Sequence, residues 1–282
     1  MVSGARAHSR VFEVVADLIA AQVEEAGPLR GVLRLRWRFY DSIITQRITL
    51  YSHSRRIDFR TEVDWHERQV LLKAAFPVNV RATRATYDIQ FGTFERPTHW
   101  NTSWDWARFE VVAHKWVDLS EGNYGVALLN DCKYGHDVKD NVLRLTLIKS
   151  AISPDAEADQ GRHEFTYSLL PHAGDRRQGD VLRESYALNY PLHADVVRVP
   201  QAGNLPPRYS LAEVDAAHVI VETVKKAEDE DAWIFRVYES QQSRSSHVIL
   251  TFGQPIQEAY ECNLVEEQCQ PVSFTAARSA YR

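Results

Sequence analysis

Apolar and polar residues alternate with period two along most of this chain. In 32–39 the side chains of Leu33, Leu35, Trp37 and Phe39 fall on one face, with Arg34, Arg36 and Arg38 on the other. The run 56–65 repeats the pattern, setting Ile57, Phe59, Val63 and Trp65 against Arg56, Asp58, Arg60, Glu62 and Asp64. Successive side chains of an extended strand point to opposite faces, so each run reads as a strand with one face buried and one wet. The two charged faces are complementary in sign and suit cross-strand pairing, each opposed pair contributing on the order of a few tenths of a kcal/mol. Alternation recurs at Leu143/Leu145/Leu147, Phe165/Tyr167/Leu169, Trp233/Phe235/Val237 and Val248/Leu250/Phe252, with turn residues at short intervals between. An antiparallel all-β protein of sandwich type is predicted.

Two segments carry a competing helical signal. Phe12, Val15, Ile19 and Val23 stand at roughly helical spacing within 11–25. The other is 213–226, where the alternation of Val219 and Val221 favours a strand. Between 190 and 212 the chain gathers Pro191, Pro200, Pro206 and Pro207 with Gly203 and Asn204, a composition that breaks strands and suits a linker. The predicted organisation is a β-unit over 1–195, a linker over 196–212 and a smaller β-sandwich over 213–282.

With 282 residues the chain is long enough for one large or two modest domains, each with its own core. A net charge of −5 argues against nucleic-acid binding, which asks for a basic surplus. The acidic run 228–231 reads as a solvated turn. Of the three cysteines, Cys132 stands alone, and Cys262 and Cys269 are too far apart for a C-x-x-C motif, so reduced thiols in a cytoplasmic protein are expected. Glu13, Asp17 and Gln22 interrupt the apolar stretch after the basic first ten residues, which excludes a secretory signal there. No run approaches the ~18 apolar residues of a membrane span, so a soluble protein is expected.

Candidate chemistry is uneven. The turn 130–136 (NDCKYGH) places an amide, a carboxylate, a cation, a phenol and an imidazole within seven residues, between the apolar runs 126–129 and 142–148. The stretch 95–110 (ERPTHWNTSWDWARFE) brings Trp100, Trp104 and Trp106 beside Arg96, His99, Asn101 and Asp105, the aromatic and polar mixture that sugar rings ask for. Trp104 and Trp106, two apart, read first as core on one face of a strand, with Arg96, His99 and Trp100 the exposed members. Paired carboxylates for retaining glycoside hydrolysis lie about 5–5.5 Å apart. Asp58, Glu62 and Asp64 qualify by type, yet alternation puts them on one solvated or salt-bridged strand face. His193-x-Asp195 sits beside the linker and is not read as a metal site. His66–Glu67 and His163–Glu164 are adjacent pairs, whose side chains point to opposite faces of a strand and cannot chelate.

Several long runs resemble the C-terminal β-domain of glycoside hydrolase family 38, the α-mannosidases, in its cytosolic and bacterial branch. They are 56–80, 85–111, 124–172 and 219–239, in the family's order, followed by ECNLVEE at 261–267. The resemblance extends from about residue 18 to 274. It implies a large antiparallel β-supersandwich, galactose-mutarotase-like, followed by a small immunoglobulin-like sandwich, with a strand near 19–25. It also implies that an N-terminal catalytic domain, with a His-x-Asp signature that has no match here, carries an aspartate nucleophile and a divalent metal, zinc or cobalt. No cofactor is expected on this chain, which then reads as a fragment or as the product of a split or truncated gene, its last strand after 273 incomplete. The implied partners are that catalytic domain and an α-mannoside or oligosaccharide, with homo-oligomerisation left open. On the resemblance, Asp131, Lys133, Tyr134 and Lys149 are substrate-side contacts at the rim of the mannoside pocket. From the residues alone, the same turn is equally a structural one tied down by its own hydrogen bonds. Two rival functions stay open: a stand-alone carbohydrate-binding sandwich without chemistry, and a mutarotase-type epimerase, for which His163 and His99 are the available imidazoles.

Overall fold

The period-two segments become strands. The computed structural model describes residues 16–198, 203, 206–245, 247–267 and 269–275. The chain divides into two compact units, Met1–His193 and Ala194–Arg282. The first contains β1 (Asp17–Ala26), β2 (Arg30–Phe39), β3 (Ser42–Tyr51), β4 (Ile57–Trp65), β5 (Leu72–Pro77), β6 (Arg84–Ile89) and β7 (Gly92–Pro97). A short helix α1 (Ser103–Ala107) follows, then β8 (Val111–Val112), β9 (Trp116–Ser120), β10 (Tyr124–Asn130) and β11 (Gly135–Lys139). β12 (Val142–Ile148), β13 (Gly161–Ala173) and helix α2 (Val181–Asn189) complete it.

These strands form a nine-stranded sheet in the order β1-β2-β3-β4-β13-β10-β9-β6-β7 and a four-stranded sheet in the order β5-β12-β11-β8. Every pairing is antiparallel. The two sheets share one core: Val63, Trp65, Tyr87, Leu119, Leu128 and Phe165 from the large sheet meet Val138, Leu143, Leu145 and Leu147 from the small one. Each such buried side chain contributes about 1.5–3 kcal/mol. Trp65 is fully buried, stacks on Phe39 at 5.9 Å and donates its indole N–H to Ser150 Oγ at 2.9 Å, so its polar atom is satisfied. The run 126–129 is apolar without alternation because β10 is covered on both faces. Val126 and Leu128 face the main core, while Ala127 and Leu129 join Trp116, Leu170 and Val181 of α2 in a second cluster.

Several expectations need correction. The charged strands 32–39 and 56–65 do not pair; β3 lies between them, and its Arg47 bridges Glu24 of β1 and Glu62 of β4. The described part of the helical candidate 11–25 is the strand β1, while Phe12 and Val15 lie outside the described residues. Of the two states expected for Asp58 the salt-bridged one holds: it is buried, paired with Arg56 and hydrogen-bonded by Tyr51 and Ser168.

In the second unit, the segment 213–226 holds no helix and contributes two strands, β14 (Ala212–Val214) and, where Val219 and Val221 alternate, β15 (Val219–Lys226), with a turn at 215–218 between them. β16 (Trp233–Glu239), β17 (Leu250–Phe252), β18 (Tyr260–Glu261) and β19 (Gln270–Pro271) follow, paired as β14-β17, β15-β16 and β18-β19. Of the predicted linker, 199–202, 204 and 205 lie outside the described residues, as does the chain from 276 onward. Reduced thiols are overturned at one pair. Because Tyr260 faces Pro271 and Glu261 faces Gln270, the next positions inward, Cys262 and Cys269, come opposite each other and form a disulfide, their Cα atoms 4.3 Å apart. Asn263 closes the loop between them, accepting from the backbone N–H groups of Val265 and Glu267. Cys132 remains a free thiol.

Candidate functional site

The turn 130–136 carries the chain from the large sheet to the small one. β10 ends at Asn130, and β11 begins at Gly135 in the other sheet and returns through β12. A second strand therefore starts inside the segment read as one polar turn. Asn130, fully buried, fixes this crossing: its Nδ2 donates to the His114 carbonyl at 2.8 Å and its Oδ1 accepts from Lys133 N–H at 2.7 Å. Its backbone N–H donates to Lys115 O, and its carbonyl accepts from Asn189 Nδ2 at 3.0 Å.

Asp131 is half-buried and tied to β13. Its backbone N–H donates to Thr166 O, and its Oδ2 accepts from Thr166 N–H at 2.8 Å. Its Oδ1 is buried without a hydrogen-bond partner. Lys133 lays its ammonium over the Phe165 ring at 4.7 Å. Tyr134 is 53 % exposed and meets His114 edge-on at 5.6 Å, while its carbonyl accepts from Ala113 N–H and faces His136 Nδ1 at 3.2 Å. Lys149 is exposed, beyond the end of β12. Since His136 pairs with Leu145, that end of β12 lies at the turn's end of the small sheet. Asp131, Lys133 and Tyr134 are close together in the chain, and Lys149 lies four residues past Leu145, its backbone N–H donating to Asp159 Oδ2 at 3.2 Å. Burial first, then the Asp131 carboxylate, push the Cys132 thiol up to about 12, so it is no thiolate nucleophile at neutral pH although the residue is largely exposed.

Sequence reading named His136 only as a member of the turn and passed over two polar clusters nearby. His136 is fully buried, its Nε2 has no partner, and burial pulls its imidazole down to about 4, so it is neutral at pH 7. On the small sheet, Lys73 binds Asp137 at 2.7 Å and Glu110 at 2.8 Å, and Arg144 binds the other oxygen of Asp137 at 2.6 Å. On the large sheet, His172 and Asp118 form a buried pair at 2.8 Å. Burial alone lowers the His172 imidazole, but the hydrogen bond and charge of Asp118 outweigh it, and the group stands above its ordinary value. Gly125 was the available signal for this pair: a glycine inside an apolar strand marks a close approach. A Cβ there would lie 2.4 Å from His172 Cε1.

The tryptophan segment also departs from expectation. Residues 103–107 are the helix α1, not a strand. Thr102 caps it, accepting from Asp105 N–H, while Asp105 Oδ2 accepts from Thr102 N–H and Oγ1. Trp104 is 76 % exposed and Trp106 40 %, so neither is core. His163 Nε2 lies 2.8 Å from the Asp159 carbonyl, and His99 is exposed near Asp105. Among the described residues, no three His, Cys, Asp or Glu side chains converge as metal ligands, and His193 and Asp195 are both exposed. The family resemblance assigns its zinc or cobalt to an N-terminal domain and not to these residues, and no chemistry is routed through one here. Among the described residues, no helix is long and apolar enough to cross a membrane.

An all-β protein with a large two-sheet unit and a smaller strand-paired one is the class these features define. The family model for the glycosyl hydrolases family 38 C-terminal domain matches residues 7–157, and that for the family 38 C-terminal beta sandwich domain matches 218–279. The chain belongs to glycosyl hydrolase family 38, whose C-terminal region it represents. It is 46 % identical over 232 residues to alpha-mannosidase 2C1 of Homo sapiens, covering 80 % of this chain and 22 % of that protein. Alpha-mannosidase G of Dictyostelium discoideum is 41 % identical over 256 residues, covering 87 % of this chain and 23 % of that one. The chain therefore spans less than a quarter of the length of these curated relatives. A solved glycosyl hydrolase family 38 protein from Enterococcus faecalis shares the fold, with a TM-score of 0.73 at 17 % identity over 90 % of this chain and 34 % of that one.

Proposed function

We propose that this chain is the C-terminal β-portion of a cytoplasmic α-mannosidase that removes terminal α-mannosidic residues with retention. The aspartate nucleophile and divalent metal belong to an N-terminal catalytic domain, and this portion supports that domain and lends the rim of the mannoside pocket. The observation that carries the reading is the pair of family 38 C-terminal matches, 7–157 and 218–279, lying in order on a chain whose relatives are named alpha-mannosidases. The Asp131 carboxylate, the Lys133 and Lys149 ammonium groups and the Tyr134 hydroxyl are the rim groups assigned to sugar hydroxyls. The exposure of Tyr134 and Lys149 and the partial exposure of Asp131 and Lys133 support this, because a rim group has to be reachable from solvent.

Turnover of an aryl α-mannoside tests the proposal. The 282-residue chain alone is expected to be inactive, and the longer protein carrying the catalytic domain active. In that longer protein Asp131→Asn keeps an acceptor for Thr166 N–H but removes the charge. It should lower kcat/KM by roughly ten- to a hundred-fold, the equivalent of a charge-assisted hydrogen bond of about 1.5–3 kcal/mol, with the melting temperature nearly unchanged. Unchanged kinetics with a lowered melting temperature would reduce the turn to a structural element.

A further inference from the structure

Residues 96–108 build a cleft of their own. Arg96, His99, Trp100, Asp105, Arg108 and Asp137 line it, and this half-open notch has a volume of about 30 Å³. That space takes a hydroxyl or hydroxymethyl group but not a pyranose ring. Its polar lining is mixed in sign. Asp105 is held ionised by the Thr102 hydroxyl and backbone, with Arg108 at 3.4 Å, and Asp137 is engaged by Lys73 and Arg144. Two carboxylates so placed disfavour an anionic ligand, while guanidinium donors and carboxylate acceptors together suit a neutral polyol. Arg96 lines the notch and stacks its guanidinium over Phe94 at 4.8 Å, and its Nε is buried with no hydrogen-bond partner.

Beside the notch stand two of the three tryptophans. Trp100 and Trp106 pack with ring centroids 5.4 Å apart, and the Lys139 ammonium lies 4.4 Å from the Trp100 ring. Trp106 remains 40 % exposed and is the ring presented outward. Trp104 is more exposed, but positions two apart on a helix diverge by about 200°, so it faces away from Trp106. None of the lining residues belongs to the turn 130–136; Asp137, the nearest in sequence, stands three positions beyond Tyr134, about 10 Å at ~3.4 Å per strand residue.

We propose that this cleft is a second carbohydrate-contact site, which takes one neutral hexopyranose unit of an oligosaccharide. The apolar C–H face of the sugar lies on Trp106, and one hydroxyl or hydroxymethyl enters the notch toward Arg96. The use of mannose as first probe rests on the proposed function; the site itself does not.

Titration of the 282-residue chain with α-linked mannotriose, and separately with cellotriose, followed by tryptophan fluorescence, tests the proposal. Saturable, millimolar binding of mannotriose is expected. Trp106→Ala should weaken it by roughly tenfold or more, Trp106→Phe should restore most of it, and Trp104→Ala should leave it unchanged. Binding of cellotriose alone, lost in Trp106→Ala, supports the cleft and counts against the mannoside reading. No saturable binding of either trisaccharide overturns the proposal, as does equal binding by wild type and Trp106→Ala, with melting curves confirming that each variant is folded.

Discussion

The turn 130–136 and the segment 99–109 hold similar inventories of polar and aromatic side chains, and they direct them in opposite ways. In the turn, the Asn130 amide, one Asp131 oxygen and the Tyr134 carbonyl all serve the crossing between sheets. The Lys133 ammonium lies over the Phe165 ring, and the exposed part of the turn is chiefly Cys132 and the Tyr134 side chain. In the segment, the capping box of Thr102 and Asp105 uses two residues, and the aromatic rings of Trp104, Trp106 and Phe109 stay in solvent. A polar residue in a loop is free for function only after the backbone's own demands are met. The turn is built inward, and the segment is left outward.

If that contrast is right, the largest destabilisation comes from the turn's buried amide. Asn130→Ala strands the His114 carbonyl and the Lys133 N–H without partners, each costing about 1–3 kcal/mol when buried. A loss of about 3 kcal/mol in unfolding free energy is expected by urea titration. A loss below about 1 kcal/mol would mean that water replaces the amide and that the turn is no more inward than the segment.

Next comes a pH effect at the turn's last residue. His136 is depressed from its ordinary 6.5 to about 4, so below pH 6.5 the unfolded chain binds the proton and the native chain does not. Stability therefore falls as pH drops from about 6.5 toward 4, by up to about 3 kcal/mol from this group. The His172 imidazole, raised by Asp118, works with the opposite sign: its stabilisation is present below its unfolded pKa and is lost as pH rises through its folded one. Unfolding titrations between pH 4.5 and 7.5 on wild type and His136→Gln separate the two. The variant should lose the acid-side decline, and an unchanged profile would show that His136 is not proton-poor in the native state.

The strands were legible because period two is a local signal, and residues 57–65 state their inner face residue by residue. The α-mannosidase resemblance was equally local, carried by contiguous runs. What escaped depends on partners far along the chain. The Asp118–His172 pair spans 54 positions and exists only because β10 sits between β9 and β13. The Cys262–Cys269 disulfide follows from strand register, which a spacing rule for metal motifs does not see. Helix α1 had a readable mark, Thr102 three residues before Asp105, but the two-residue spacing of Trp104 and Trp106 imitates a strand face and overrode it. At the rim, the sequence named the residue types but not which of their atoms the backbone had already engaged.

The smallest effect expected is the sharpest test of the segment. Trp104 is 76 % exposed, at the second position of a helix whose cap is supplied by Thr102 and Asp105 rather than by any tryptophan. Its ring buries little on folding, and the transfer term scales with area removed from water. Alanine is also the better helix former, by a few tenths of a kcal/mol. Trp104→Ala should therefore change unfolding free energy by less than about 0.5 kcal/mol, within the range of ordinary surface substitutions. The same substitution removes a large apolar surface, so any self-association driven by this face should weaken. Sedimentation of wild type and variant at matched concentrations reads that directly. A clear loss of stability in the monomeric variant would show that the ring packs on its own chain, and the contrast between an inward turn and an outward segment would fail at its most exposed residue.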